Sequence, residues 1–160
     1  MKSVSQRLFS IPTLLFLVYF VVRFFEIGTN SLAGDEPFSV YFAQMPLADI
    51  LRHLKPGNNP PLYELLLHFW IKLFGISEIA VRIPSLLFSA ATATLIYKIS
   101  ADFFKKEVGF LAFGIFLFNN YATYFSHEAR VYALFGLLTA ASFYFFLKIT
   151  LNYTLRTFYR

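Results

Sequence analysis

Two carboxylates stand side by side at Asp35 and Glu36, within Gly34-Asp-Glu-Pro-Phe38, a few residues after the first long apolar run of the chain. Ionisable groups at the end of a membrane helix are costly to keep at a bilayer edge, so a pair there points to a site. Two further polar groups follow: Asn58-Asn-Pro-Pro61 with Tyr63 and Glu64, and His127-Glu-Ala-Arg130 with Tyr132. Together they hold the parts for acid–base work on a polar head group at the lip of a helical bundle. A positioned carboxylate can act as acid or base there, and the charged and aromatic groups beside it suit a polar head carried on a lipid. The competing reading of Asp35-Glu36 is a solvated loop, where charges ordinarily sit.

The elements that must position these groups are apolar helices. The chain is 58% hydrophobic and 14% charged, against about 45–50% and 25% in soluble domains. Four uncharged runs account for this: Leu8–Val22, Ile83–Tyr97, Val108–Ser126 and Val131–Leu147. A spanning helix needs roughly 20 mostly apolar residues. Each run reaches that length with a flanking residue or a snorkelling Arg or Lys. The expectation is an all-α integral membrane protein with about four transmembrane helices, forming one membrane domain over residues 1–160. The third run is the cleanest of the four, bounded by Lys105-Lys106-Glu107 and His127-Glu128.

The formal charge of +5 would suggest nucleic-acid binding in a soluble protein, but here its distribution argues otherwise. Lys2 and Arg7 precede the first run, Lys98, Lys105 and Lys106 lie between the second and third, and Lys148, Arg156 and Arg160 follow the fourth. The segment Gly28–Ile79 instead carries Asp35, Glu36, Asp49, Glu64 and Glu78 against Arg52, Lys55 and Lys72. The positive-inside rule then puts both termini in the cytoplasm and residues 28–79 and His127–Arg130 on the outer face. The expected partner is the lipid bilayer, not nucleic acid. The first run lacks a small-x-small cleavage site and reads as a signal anchor.

The outer loop is too long to be a structureless connector. Pro37 suits the start of a helix over Glu36–Leu54, and Pro46 is expected to kink or divide it. Lys55–Pro61 is a turn by composition. Pro61–Gly75, with Trp70, reads as an amphipathic helix lying in the interface. Glu64, His68 and Lys72 recur every four residues as its solvated face, and Gly75 is its C-cap. A short spanning helix is the alternative there, but it would set three ionisable residues in hydrocarbon and reverse every later orientation. Arg82, at the start of the second span, is expected to be a snorkelling interface anchor. The chain has no cysteine, so disulfides and thiolate metal sites do not arise. No cofactor is expected. A divalent cation held by Asp35, Glu36 or Glu128 stays an open alternative.

The same residues carry a resemblance. Gly34-Asp-Glu-Pro-Phe38 after a first span, then Asn59-Pro-Pro-Leu-Tyr63, Leu73-Phe-Gly75 and Glu78-Ile-Ala-Val-Arg-Ile-Pro-Ser85, are similar in order and spacing to the first outer loop of one class of membrane enzymes. His127-Glu-Ala-Arg-Val-Tyr132 resembles the second outer loop of its bacterial members. This class is the polyprenyl-phosphate-sugar-dependent glycosyltransferases of the GT-C fold, which includes protein O-mannosyltransferases and lipid A aminoarabinose transferases. The resemblance covers about residues 8–150. It implies an inverting transfer of sugar from a polyprenyl-phosphate donor to a protein, lipid or glycan acceptor, at the outer face of a bacterial inner membrane. It implies Asp35 as the general base, with Glu36 in support. Asn59, Pro60, Pro61, Tyr63, His127, Glu128, Arg130 and Tyr132 are the expected substrate-binding residues, and Glu128 is expected to orient Arg130 or contact the acceptor. The aminoarabinose-type members often carry basic residues where this chain has Asn59 and Pro37-Phe38, so their substrate does not carry over. Complete members are several times longer, so the chain corresponds to an N-terminal portion. A non-catalytic membrane interaction or assembly module built from that portion is the alternative function.

Overall fold

The computed structural model describes residues 10–56 and 60–158, with side chains as far as Leu151. Asn58 and Asn59 lie outside the described residues. The helices are α1 (Ile11–Phe24), α2 (Glu36–Ala43), α3 (Leu47–Leu54), α4 (Leu62–Phe74), α5 (Glu78–Phe103), α6 (Lys106–Leu117), α7 (Asn120–Ser126) and α8 (Tyr132–Phe158). No strand occurs among the described residues.

The central element is α5, against which α1, α6 and α8 all pack. Ser77 starts it, its hydroxyl accepting from the Ala80 N–H at 3.3 Å, as an N-cap does. Pro84 lies inside α5 and has no N–H to give the Ala80 carbonyl four residues back. The indole Nε1–H of Trp70 fills that vacancy, donating to Ala80 O at 2.8 Å. The proline thus ties α4 to the start of α5. Further along, Leu86, Ala90, Ala93 and Tyr97 pack with Leu15, Tyr19, Ile27, Phe113 and Leu117 in one buried cluster. A Cβ on Gly109 would come within 2.9 Å of the Tyr97 ring and carbonyl, so glycine there permits the close approach of α6 to α5. Tyr19 closes the cluster with a 2.7 Å hydrogen bond between its hydroxyl and that of Ser89.

Among the described residues two helices are long and apolar enough to cross a bilayer, Glu78–Phe103 and Tyr132–Leu151. The stretch expected to form the cleanest single span is instead broken. Lys106–Leu117 and Asn120–Ser126 meet at 65°, and they count as a third span only if taken together. The cause is local: Asn119 leaves helical geometry and its Oδ1 accepts from Ala122 N–H at 3.0 Å, capping a new helix. Asn carries no charge and so does not interrupt an uncharged run, yet its side chain competes for backbone donors. The guanidinium of Arg23 donates to Leu117 O, one of the carbonyls that the break leaves without a helical partner. The described part of the first run is α1, 14 residues, about 21 Å at 1.5 Å per residue, shorter than a hydrocarbon core of about 30 Å.

The segment between α1 and α5 folds as a polar cap on this bundle. Pro46 divides it, standing just before α3. Val40, Ala43, Tyr63, Leu67, Ile71, Val81, Ala129 and Leu134 form a second buried cluster that joins α2 and α4 to the start of α5 and to the 127–130 loop. This packing corrects the expected orientation of α4. Lys72 is exposed, but Glu64 and His68 are only 1% and 3% exposed. The Ser39 hydroxyl donates to Glu64 Oε1 at 2.9 Å, and His68 Nδ1–H donates to Ala43 O at 2.8 Å. The face that repeats every four residues turns toward α2, not toward solvent.

Candidate active site at the polar cap

The cap is organised by a residue that the sequence reading assigned to the lipid interface. Arg82 is buried, and its guanidinium meets both carboxylate oxygens of Glu36: Nε to Oε1 at 2.8 Å and Nη2 to Oε2 at 2.7 Å. Its remaining donors go to the carbonyls of Ile27 (3.0 Å), Asn30 (2.7 Å) and Ser31 (3.2 Å), in the chain leaving α1. This is the parallel fork geometry that makes arginine–carboxylate pairs specific. Arg82 therefore does not snorkel. Its side chain turns inward because a buried carboxylate and three loop carbonyls need its five donors. The signal in the sequence was its isolation: between Glu78 and Lys98 it is the one charged residue.

Glu36 is equally committed. Besides Arg82, its Oε1 accepts from Ala129 N–H at 2.8 Å and its Oε2 from Ala33 N–H at 3.2 Å. Burial would raise its carboxyl pKa, but the hydrogen bonds from Arg82, Ala129 and Ala33 and the Arg82 charge together hold it below the ordinary carboxylate range. One carboxylate thus joins the segment between α1 and α2, α5 and the 127–130 loop.

Asp35 and Arg130, each the neighbour of a residue in that junction, face one another. Arg130 Nη2 lies 3.4 Å from Asp35 Oδ2, with the Arg130 side chain 5% exposed and that of Asp35 69% exposed. The turn before Asp35 uses Gly34 at φ +55°, a left-handed conformation that suits glycine. Arg130 Nη1 donates to Ser39 Oγ at 3.1 Å, and Ser39 in turn donates to Glu64. The rings of Phe38 and Tyr132 lie 5.5 and 5.9 Å from the Arg130 guanidinium carbon, within reach of cation–π attraction. Arg130 Nε is buried and makes no hydrogen bond.

The other expected site residues divide. Tyr63 is fully buried and shares a 2.9 Å hydrogen bond with Ser85 Oγ, which donates to Arg130 O at 3.4 Å. Burial raises the Tyr63 phenol, so it stays protonated. Pro61 stands at the head of α4, and Pro60 is exposed beside it; neither takes part in the Arg130 network. His127 Nε2–H donates to Arg23 O at 2.7 Å, and burial lowers its pKa, so the ring is neutral near pH 7. Glu128 makes no hydrogen bond to Arg130. Its Oε1 accepts from Tyr124 OH at 3.4 Å, and its Oε2 is buried with no partner. Burial and the nearby charge of Glu36 raise its pKa, against the pull of Arg130. His127 and Glu128 line a cavity of about 560 Å³ that Glu36 and Arg82 also bound, and Asp35 and Arg130 do not line it. The sequence reading missed Ser39, Ser85 and the Ala129 N–H as parts of this network. Serines and backbone donors carry no pattern of their own, and only tertiary packing reveals them. No three His, Asp or Glu side chains converge as a metal set among the described residues.

No curated protein and no solved structure matches the chain. The family profile of dolichyl-phosphate-mannose-protein mannosyltransferases matches residues 58–159. The matched segment carries Tyr63, Arg82 and the His127–Tyr132 stretch, and Asp35 and Glu36 lie ahead of it. Apolar helices able to cross a bilayer, a polar cap over one end and this match converge: the chain belongs to the dolichyl-phosphate-mannose-protein mannosyltransferase family of membrane glycosyltransferases.

Proposed function

We propose that the chain carries the catalytic cap of a transferase that moves a sugar from a polyprenyl-phosphate donor to a hydroxyl acceptor on the outer face of the membrane, by inverting displacement, with four spans and both termini in the cytoplasm. The observation that carries this reading is the half-satisfied pair Asp35–Arg130, an exposed carboxylate at the edge of hydrogen-bond range from a buried guanidinium. In an inverting displacement the base and the leaving group act from opposite sides of the sugar. A donor phosphate taking Arg130 displaces Asp35 and frees its carboxylate. Asp35 then accepts the proton of the acceptor hydroxyl as that oxygen attacks the anomeric carbon. The carbon–oxygen bond to the lipid phosphate breaks, and Arg130 holds the departing charge. Negative charge from Asp35 also favours the oxocarbenium character of the transition state. Glu36 acts as the positioning residue for both. Tyr132 and Phe38 flank the Arg130 fork, Tyr63 steadies the Arg130 backbone through Ser85, and Asn59, Pro60 and Pro61 are further substrate contacts on this reading.

The test is transfer from a labelled polyprenyl-phosphate mannose in membranes containing the chain. Asp35→Asn is expected to lower turnover by about 10²–10⁴-fold, the usual contribution of a positioned base, with membrane insertion unchanged. Undiminished turnover overturns the assignment. One observation favours a second reading, a non-catalytic assembly module: only 11% of the apolar window of Tyr132–Leu151 is buried. On that reading the chain binds a membrane protein through α8 and shows no transfer with either residue at position 35.

A further inference from the structure

Glu64 is a buried acid that the proposed transfer does not use, and a directed chain of hydrogen bonds joins it to Arg130. Arginine has donors and no acceptor, so in the 3.1 Å contact of Arg130 Nη1 with Ser39 Oγ the serine oxygen must accept. The Ser39 hydrogen is then free to donate, and it goes to Glu64 Oε1 at 2.9 Å. The chain runs one way, from a cation through a hydroxyl to a carboxylate, and bonds in such a chain polarise and strengthen one another. Ser39, Glu64 and Arg130 are all buried. Asp35 is not an equivalent partner for the guanidinium, since its contact is longer and its side chain lies largely in solvent. Two helices hold the chain in register. Ser39 and Ala43 stand four residues apart on α2, and Glu64 and His68 four residues apart on α4. The two pairs meet across the contact, Ser39 with Glu64 and the Ala43 carbonyl with His68. Tyr63 and Leu67 pack with Val40 and Ala43 in the same buried cluster.

We propose that Glu64 is a positioning residue for Arg130, acting through Ser39. Its Oε1 fixes the direction of the Ser39 hydroxyl, which turns the serine lone pair to Arg130 Nη1 and leaves Nη2 on the side of Asp35. The proposal rests on the transferase reading, in which Arg130 exchanges Asp35 for a donor phosphate. At that exchange the guanidinium gives up its partner on the exposed side, and the anchor through Ser39 to Glu64 keeps it in place. Glu64 touches neither reactant. Its effect passes through one hydroxyl, and that route gives it a signature that a general contribution to folding does not have.

The experiment has two readouts on the full chain in detergent. The first is ¹⁵N NMR of arginine-labelled protein, with the Arg130 guanidinium signals assigned by their loss in Arg130→Gln. Separate Nη signals with slow proton exchange are expected in the wild type, and Ser39→Ala or Glu64→Ala should average them away. The second is binding of a short-chain polyprenyl monophosphate. Ser39→Ala and Glu64→Ala should each weaken it about tenfold, the scale of one hydrogen bond to a charged group. The double variant should be no weaker than either single one, because the two residues act along one route. Glu64→Gln is close in shape and still able to accept from Ser39, so it guards against variants that unfold. It should keep the Nη signals and bind within about threefold of wild type. Arg130 signals indifferent to Glu64→Ala, single losses that multiply to about a hundredfold in the double variant, or a folded Glu64→Gln as weak as Glu64→Ala overturn the proposal. Phosphate binding indifferent to Arg130→Gln sinks the donor assignment of the transferase reading alone, and the NMR signals still decide whether Glu64 holds Arg130.

Discussion

Asp35 and Glu36 share a peptide bond, yet their settings oppose one another. Glu36 meets its arginine at 2.7 Å with both side chains about 5% exposed, and backbone donors cover its oxygens. Asp35 meets its arginine at 3.4 Å with its own side chain 69% exposed. A charge whose every lone pair is matched has nothing left to offer a substrate; it holds parts together. A charge met by one long contact is available. The cap places both kinds on adjacent residues, so the rigid one fixes the backbone from which the free one projects.

The largest expected effect comes from breaking the rigid side. Arg82→Leu leaves Glu36 buried and unpaired, which should cost about 3–5 kcal/mol and lower the melting temperature in detergent sharply. Wild-type-like melting would show that the pair does not organise the cap. Next is the brace under Arg82. Trp70→Phe removes the donor to Ala80 O, and leaving this part-buried carbonyl without a partner should cost about 1 kcal/mol, the low end for an orphaned acceptor, measurable by thermal denaturation. On the free side, Asp35→Asn should change stability by less than about 1 kcal/mol, as for other exposed pairs, while turnover falls. A large stability loss there would erase the contrast between the two residues.

Proton linkage gives the smallest effects, and it separates two glutamates by sign. The Glu36 carboxyl is held below its unfolded value, so its stabilisation is present above the ordinary glutamate range and is lost as pH falls through the folded value. The Glu128 carboxyl is raised, so its favourable contribution belongs to low pH and is lost as pH rises through the folded value. Glu128→Gln should therefore raise the melting temperature at pH 7 and lose that advantage at pH 4. Glu36→Gln should do the reverse, destabilising at pH 7 and less so at pH 4. Parallel pH profiles for the two variants would contradict the assigned environments.

Much of this arrangement was legible beforehand, and the failures have identifiable causes. The order of Asp35, the paired prolines and the His127–Tyr132 stretch along apolar runs pointed to a membrane transferase, and the family match agrees. The Glu64–His68 spacing correctly found a shared helix face, but periodicity does not say what a face meets, and α2 lies there. Arg82 was misjudged for the same reason: its place at a helix start was readable, whereas its partner lies 46 residues earlier. The break at Asn119 carried a local signal, a pair of asparagines inside a long apolar run. Hydropathy averages it away, while capping chemistry does not. The Arg130–Asp35 approach, across 95 residues, follows from no local rule.

The bond from Ala129 N–H to Glu36 has a consequence for biosynthesis. Chains are made from the N-terminus, so Glu36 leaves the ribosome long before Arg82 and longer still before Ala129, 93 residues later. Until the 127–130 loop arrives, that carboxylate has only the donors of Arg82 and Ala33, and the two polar loops are not joined. The cap thus closes only after α5, α6 and α7 have been made, with α8 still to follow, and its closure requires residues 25–36 and the 127–130 loop to lie on one side of the bundle. A chain with one segment inserted the wrong way round would present Glu36 without Ala129, leaving a recognisable defect for membrane quality control.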